Sequence, residues 1–79
     1  MRILLFAHLR DAAGHAELTM RFDRRVDAEQ LWQRLIAWQP VLAPFRTSVR
    51  LARNGEYARP GERFDDGDEV ALIPPVSGG

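Results

Sequence analysis

Within these 79 residues a single stretch carries a helical period, and β-type segments flank it on both sides. Ala28, Leu31, Trp32, Leu35 and Ile36 recur at i, i+3, i+4, i+7 and i+8, and Trp38 extends the stripe. Asp27 is an N-cap residue type, and Gln30 stands three residues on, at capping-box spacing. Pro40 ends the pattern, and Pro44 is expected to keep the next stretch out of helix. A lone amphipathic helix must lay its stripe on something, and only a sheet is available. A chain this short makes one domain with a thin core, burying only about 60% of the surface its unfolded form exposes.

The sheet can be read from the flanks. Residues 3–9 (ILLFAHL) predict a first strand, with Ile3, Leu5, Ala7 and Leu9 on one face and Leu4, Phe6 and His8 on the other. Apolar residues on both faces suit a central strand, or one whose outer face meets a partner. Residues 11–14 predict a turn. Residues 17–22 (ELTMRF) then alternate as a second, antiparallel strand with Leu18, Met20 and Phe22 on one side. Residues 49–53 predict a third strand. Asn54-Gly55 is a strong hairpin signal, because a type I′ turn needs positive φ at both central positions. Residues 56–58 return as a short strand. Arg59-Pro60-Gly61-Glu62 and Asp66-Gly67 mark turns, and residues 69–73 (EVALI) form the last strand. The order predicts an α+β fold of β-grasp type: a mixed sheet of four to five strands, one main helix packed on one face, and first and last strands parallel at the centre. The body spans 1–73, and 74–79 form an extended C-terminal tail.

Composition removes most functional classes. Eleven basic residues balance eleven acidic ones, so the basic excess of a nucleic-acid binder is missing. No apolar run approaches a membrane span, and the start is too short for a secretory h-region, so the expected location is cytoplasmic. Without Cys there is no disulfide, no thiol nucleophile and no thiolate metal site. His8 and His15 have no carboxylate at ligand spacing, so neither metal nor cofactor binding is expected. The acidic group Asp65, Asp66, Asp68 and Glu69 lacks the alternation of a calcium loop and reads as a solvated turn. Thr47, Ser48 and Ser77 have no triad partners, and no phosphate loop is present. The chain alone is not expected to be catalytic. Every basic residue is Arg and none is Lys, which leaves no side-chain amine as an acyl acceptor. Coding bias explains that absence unless the chain itself carries a reactive acyl group.

The C-terminus remains: Pro74-Pro75-Val76-Ser77-Gly78-Gly79. Two prolines are stiff and extended, and they project the rest of the tail away from the last strand. Val76 supplies one apolar anchor. Gly78-Gly79 carries no side chain, so the terminal carboxylate can thread a channel one backbone wide. Six extended residues reach roughly 20 Å, enough to enter another protein's active site.

With these residues assembled, the sequence resembles the ubiquitin-like β-grasp sulfur-carrier family, and within it the molybdopterin synthase small-subunit branch. The resemblance runs over nearly the whole chain. It is carried by residues 4–11 with Gly14, by Arg53-Asn54-Gly55-Glu56-Tyr57, and most specifically by residues 66–79 ending in PPVSGG. Arg53 departs from the family, which usually has an apolar residue there. The thiamine-pathway carriers share the diglycine but generally lack the Pro-Pro-Val-Ser spacing. The resemblance implies that an adenylating activating enzyme uses ATP to activate Gly79, with Gly78 beside it. A sulfur donor such as a cysteine desulfurase or rhodanese then makes the thiocarboxylate. It further implies a large synthase subunit as partner, in a heterotetramer, with Phe6, Arg10, Ile73, Pro74, Pro75, Val76 and Ser77 contributing contacts. A carrier for thiamine, cysteine or tRNA thiolation and a ubiquitin-like protein modifier are the alternatives.

Overall fold

The computed structural model describes residues 1–75, so Val76, Ser77, Gly78 and Gly79 lie outside the described residues. Strands β1 (Arg2–Leu5), β2 (Glu17–Thr19), β3 (Val26–Asp27), β4 (Arg50–Arg53), β5 (Glu56–Tyr57), β6 (Arg63–Phe64) and β7 (Glu69–Ile73) are joined by helices α1 (Ala7–Ala13) and α2 (Ala28–Trp38) and by a 3₁₀ helix over Pro40–Phe45. Five strands form one sheet in the order β2-β1-β7-β4-β5, and β3 and β6 make a separate two-stranded ribbon. β1 and β7 run parallel at the centre, from Arg2 opposite Glu69 to Leu5 opposite Leu72. That is the β-grasp arrangement the element order predicts.

The core lies between one sheet face and the helices. Ile3, Leu5, Val70, Leu72 and Leu51 are buried on the sheet side. Leu31, Trp32 and Leu35 face them from α2, and Leu9, Ala13, Leu42 and Phe64 complete the packing. α2 begins where the capping box places it: the Gln30 amide donates to Asp27 Oδ1 (2.8 Å), and the Asp27 amide donates to Gln30 Oε1 (3.0 Å). The four orphan amides of that helix end are thereby partly satisfied. At the β4–β5 hairpin Asn54 and Gly55 have φ of 50° and 90°, the positive pair a type I′ turn requires.

Three expectations are corrected. Residues 3–9 are not one strand: β1 stops at Leu5, Phe6 takes the N-cap position, and His8 and Arg10 ride on α1. The expected turn at 11–14 is the last turn of α1 and its left-handed cap Gly14, whose amide donates to the Arg10 carbonyl. The chain breaks from strand to helix at Ala7, which takes a left-handed φ of 49°. Second, the strand over 17–22 ends at Thr19; Met20 and Phe22 are buried without belonging to it. Third, Pro44 does not prevent helix. Pro40 starts a 3₁₀ turn in which Pro44 is tolerated and Leu42 is buried.

Candidate functional site

β7 sets the position of the tail. It is hydrogen-bonded on both sides, to β1 in parallel and to β4 antiparallel, and its last residue, Ile73, runs directly into Pro74 and Pro75. Parallel pairing brings the C-terminal end of β1 alongside, so Phe6, one residue past Leu5, stands beside the point where the tail leaves the sheet. On the other side Arg50 pairs with Ile73. Side chains alternate along each strand. Since Ile3, Leu5, Val70 and Leu72 point into the core, Leu4, Ala71 and Ile73 occupy the opposite, helix-free face and are half-buried. Ala52 and Tyr57, paired with each other, continue that row toward the β5 edge.

The tail root is therefore ringed by apolar surface. Phe6 and Tyr57 are 46% and 51% exposed, two of the few large apolar side chains left open. The Arg50 guanidinium lies 3.9 Å from the centroid of the Tyr57 ring, a cation–π stack beside the tail. Of the predicted contact residues, Phe6, Ile73 and Pro74 come together here, with Pro75 next along the chain. Phe6 sits at the strand–helix junction rather than on a strand face. Arg10 is exposed on α1, with Asp11 3.9 Å from it, and does not join these residues among the described contacts. Val76, Ser77, Gly78 and Gly79 are outside the described residues. Sequence reasoning missed Arg50, Tyr57 and Leu4; the Asn54-Gly55 signal contained the information, because a two-residue hairpin forces Tyr57 opposite Ala52.

The opposite end of the sheet is held by charge. Arg53 donates to Asp68 (2.6 Å), Asp65 (3.0 Å) and Glu62 (3.3 Å), and the Asn54 side chain donates to Asp68 (3.0 Å). Asp68 is buried, not solvated, which corrects the reading of the acidic group as an open turn. Burial opposes ionisation of Asp68. The Asp65 amide, the Asn54 side-chain amide and Arg53 overcome it and hold the carboxyl below its ordinary range. The hydrogen bond to Asp68 in turn raises the Arg53 guanidinium. Asp66 accepts from the Phe22 amide (2.7 Å) and is held low chiefly by that bond, with help from the Met1 amine. This network staples the β4–β5 hairpin to the turn before β7. Arg53 therefore has a structural task in this chain. Elsewhere His15 stacks obliquely on Trp38 at 5.5 Å. Among the described residues no helix is long and apolar enough to cross a membrane.

A small β-grasp body whose central last strand delivers a Pro-Pro-led segment ending in diglycine defines the class of ubiquitin-like carrier domains. The chain belongs to the ThiS family, whose model matches residues 3–79. It is 40% identical over 81 residues to a protein of Chlamydomonas reinhardtii named molybdopterin synthase sulfur carrier subunit, covering all of this chain and 98% of that one. A crystal structure of SAMP1 from Haloferax volcanii superposes with a TM-score of 0.84 at 33% identity, covering all of this chain and 98% of that one. The fold is shared, at 19% identity and a TM-score of 0.66, with a chain of the complex of molybdopterin-converting factor subunits 1 and 2 from Helicobacter pylori; 99% of this chain and 96% of that one are covered.

Proposed function

We propose that this chain is the sulfur carrier of molybdenum cofactor biosynthesis and that Gly79 carries the sulfur. The observation that supports this reading most directly is that β7, fixed on both sides, continues into a sequence ending Pro74-Pro75-Val76-Ser77-Gly78-Gly79 in a chain 40% identical to a named molybdopterin synthase sulfur carrier. A carboxylate is a poor electrophile, because its leaving group would be oxide. The Gly79 carboxylate oxygen attacks the α-phosphate of ATP on an activating enzyme, and pyrophosphate leaves. The terminal sulfur of a persulfide on a cysteine desulfurase or rhodanese then attacks the acyl carbon and expels AMP, and a thiol of the donor or activating enzyme cleaves the resulting acyl disulfide, forming a protein disulfide and releasing the thiocarboxylate. The chain itself binds no cofactor in this scheme; the ATP is the activating enzyme's.

The thiocarboxylate enters the active site of the large synthase subunit, where its sulfur adds to cyclic pyranopterin monophosphate and water restores the carboxylate. Two sulfurs per dithiolene require two charged carriers per product, which suits a heterotetramer. A tethered nucleophile keeps its local concentration high and releases no free sulfide. Phe6, Ile73 and Pro74, with Leu4, Tyr57 and Arg50 around them, form the contact with the large subunit; Arg10, Pro75, Val76 and Ser77 extend it. The assembly works in the cytoplasm.

The test is incubation with a cognate activating enzyme, ATP and a sulfur donor, followed by mass mapping of the C-terminal peptide. Exchange of one oxygen for sulfur on Gly79 is the expected result. An unmodified Gly79 with a demonstrably active enzyme refutes the carrier. The likeness to SAMP1 favours a second reading, a protein modifier joined through Gly79 to target amines, which conjugates on a blot would reveal.

A further inference from the structure

An activated C-terminal acyl group is a hazard to any amine near it, its own chain's included. An amine attacking the Gly79 carbonyl of the acyl adenylate would form a C–N bond, break the bond to AMP and give its proton to water. The amide product is stable, so the carrier would be consumed. Acyl transfer to imidazole gives an acylimidazole that hydrolyses back, and a neutral hydroxyl with no base beside it is a far weaker nucleophile than an amine. The guanidinium of Arg stays protonated and is not nucleophilic. Amines are thus the acceptors that matter.

This chain has eleven Arg and no Lys, so the α-amine of Met1 is the remaining primary amine in the sequence. The structure puts that nitrogen out of reach. It donates to the Met20 carbonyl at 2.6 Å in a buried contact and lies 3.4 Å from Asp66 Oδ1. The Met1 side chain is itself part of the core and anchors the amine from below, at 5% exposure. Asp66 is fixed in turn by the Phe22 amide. Length alone gives no protection: four paired residues of β1 separate Met1 from the tail end of the sheet, roughly 13 Å, whereas the tail reaches roughly 20 Å.

Resting on the reading of Gly79 as an activated acyl carrier, we propose that the chain is a one-way acyl donor, whose lysine-free sequence and buried Met1 amine leave no open amine acceptor for its own activated terminus or for that of a second copy. The charge balance that lysines would supply is kept by arginines, while the nucleophile is removed. A modifier of this design could be placed on other proteins but could not be built into chains on itself.

Acetylation of the full chain with N-hydroxysuccinimidyl acetate, read by intact mass and peptide mapping, tests this. The native Met1 amine is expected to react about tenfold or more slowly than in guanidinium-unfolded chain, because reaction waits on local opening. A smaller difference overturns the proposal. Arg24→Lys, at a site whose side chain is 79% exposed, is expected to gain one further acetyl at that position in the native state, confirming that the reagent finds an open amine. In parallel the wild-type chain is incubated with activating enzyme and ATP, and ATP–pyrophosphate exchange is followed. Exchange without any Gly79–Met1 amide is expected, whereas exchange with such an amide overturns the one-way donor. Absence of exchange refutes the carrier reading instead, and the acetylation rates still decide whether the amine is sequestered.

Discussion

Leu72 is where the stability of the body and the placement of the tail meet. It is fully buried, lies in register with Leu5 on one side and Leu51 on the other, and stands one residue before the strand's last position. Leu72→Ala removes three buried carbons, at about 0.8 kcal/mol each, or about 2.4 kcal/mol of transfer free energy. The cavity left in the core beneath the central strand relaxes little, and buried Leu→Ala changes span about 2–5 kcal/mol, so about 3 kcal/mol is the expected loss. A domain of this size holds about 4–12 kcal/mol in total. At about 6 °C per kcal/mol the melting temperature falls by about 18 °C. Thermal and urea unfolding followed by far-UV circular dichroism measure this, with the urea m-value expected unchanged. A drop below about 1 kcal/mol would refute the assignment of Leu72 to an incompressible sheet centre. Deleting Gly78-Gly79, which removes no side chain, is the matched contrast: melting within about 2 °C of wild type is expected, with no thiocarboxylate formed.

Acid should loosen the end of the sheet opposite the tail. Glu62, Asp66 and Asp68 all have folded carboxyls below their ordinary values. Their stabilisation is therefore complete above the unfolded carboxylate range and is lost as pH falls through it toward the folded values. Denaturant midpoints should decline from pH 6 to pH 3 (roughly the span of carboxylate titration), and Arg53→Met should flatten that decline. Phe6→Ala and Ile73→Asp should each weaken binding to the large subunit by about tenfold or more, as truncated or charged anchors do at interface centres, with the fold unchanged; titration calorimetry reads this, and unaltered affinity would remove these residues from the interface. Ala7→Gly should leave stability unchanged or raise it by up to about 1 kcal/mol, since glycine relieves the left-handed strain while costing unfolded-state entropy.

The legible elements were those specified by neighbours in sequence. α2 was readable from a stripe and a reciprocal cap, and the Asn54-Gly55 hairpin from a turn that admits few residue types. β7 was readable as the run between the Asp66-Gly67 turn and the extended Pro74-Pro75 segment, with bounds that match. α1 was hidden because its first residues complete an apolar run begun by β1. The signal lay in Leu9 and Ala13, buried four residues apart, with Gly14 as their C-terminal cap. The surface around the tail was half legible. Phe6 and Ile73 could be named from sequence, but Arg50 and Tyr57 reach it only through the β4–β5 pairing.

By itself the sequence determined the β-grasp class, the span of the main helix, the parallel meeting of first and last strands and the diglycine terminus, because caps, turns and periodicities act over a few residues. Tertiary structure decided which charges are structural and which side chains ring the tail. Arg53 meets Asp68, Asp65 and Glu62, and the Met1 amine meets Met20 and Asp66, only after strands distant in sequence have paired. Contacts of that kind depend on register and burial together, which no local pattern encodes.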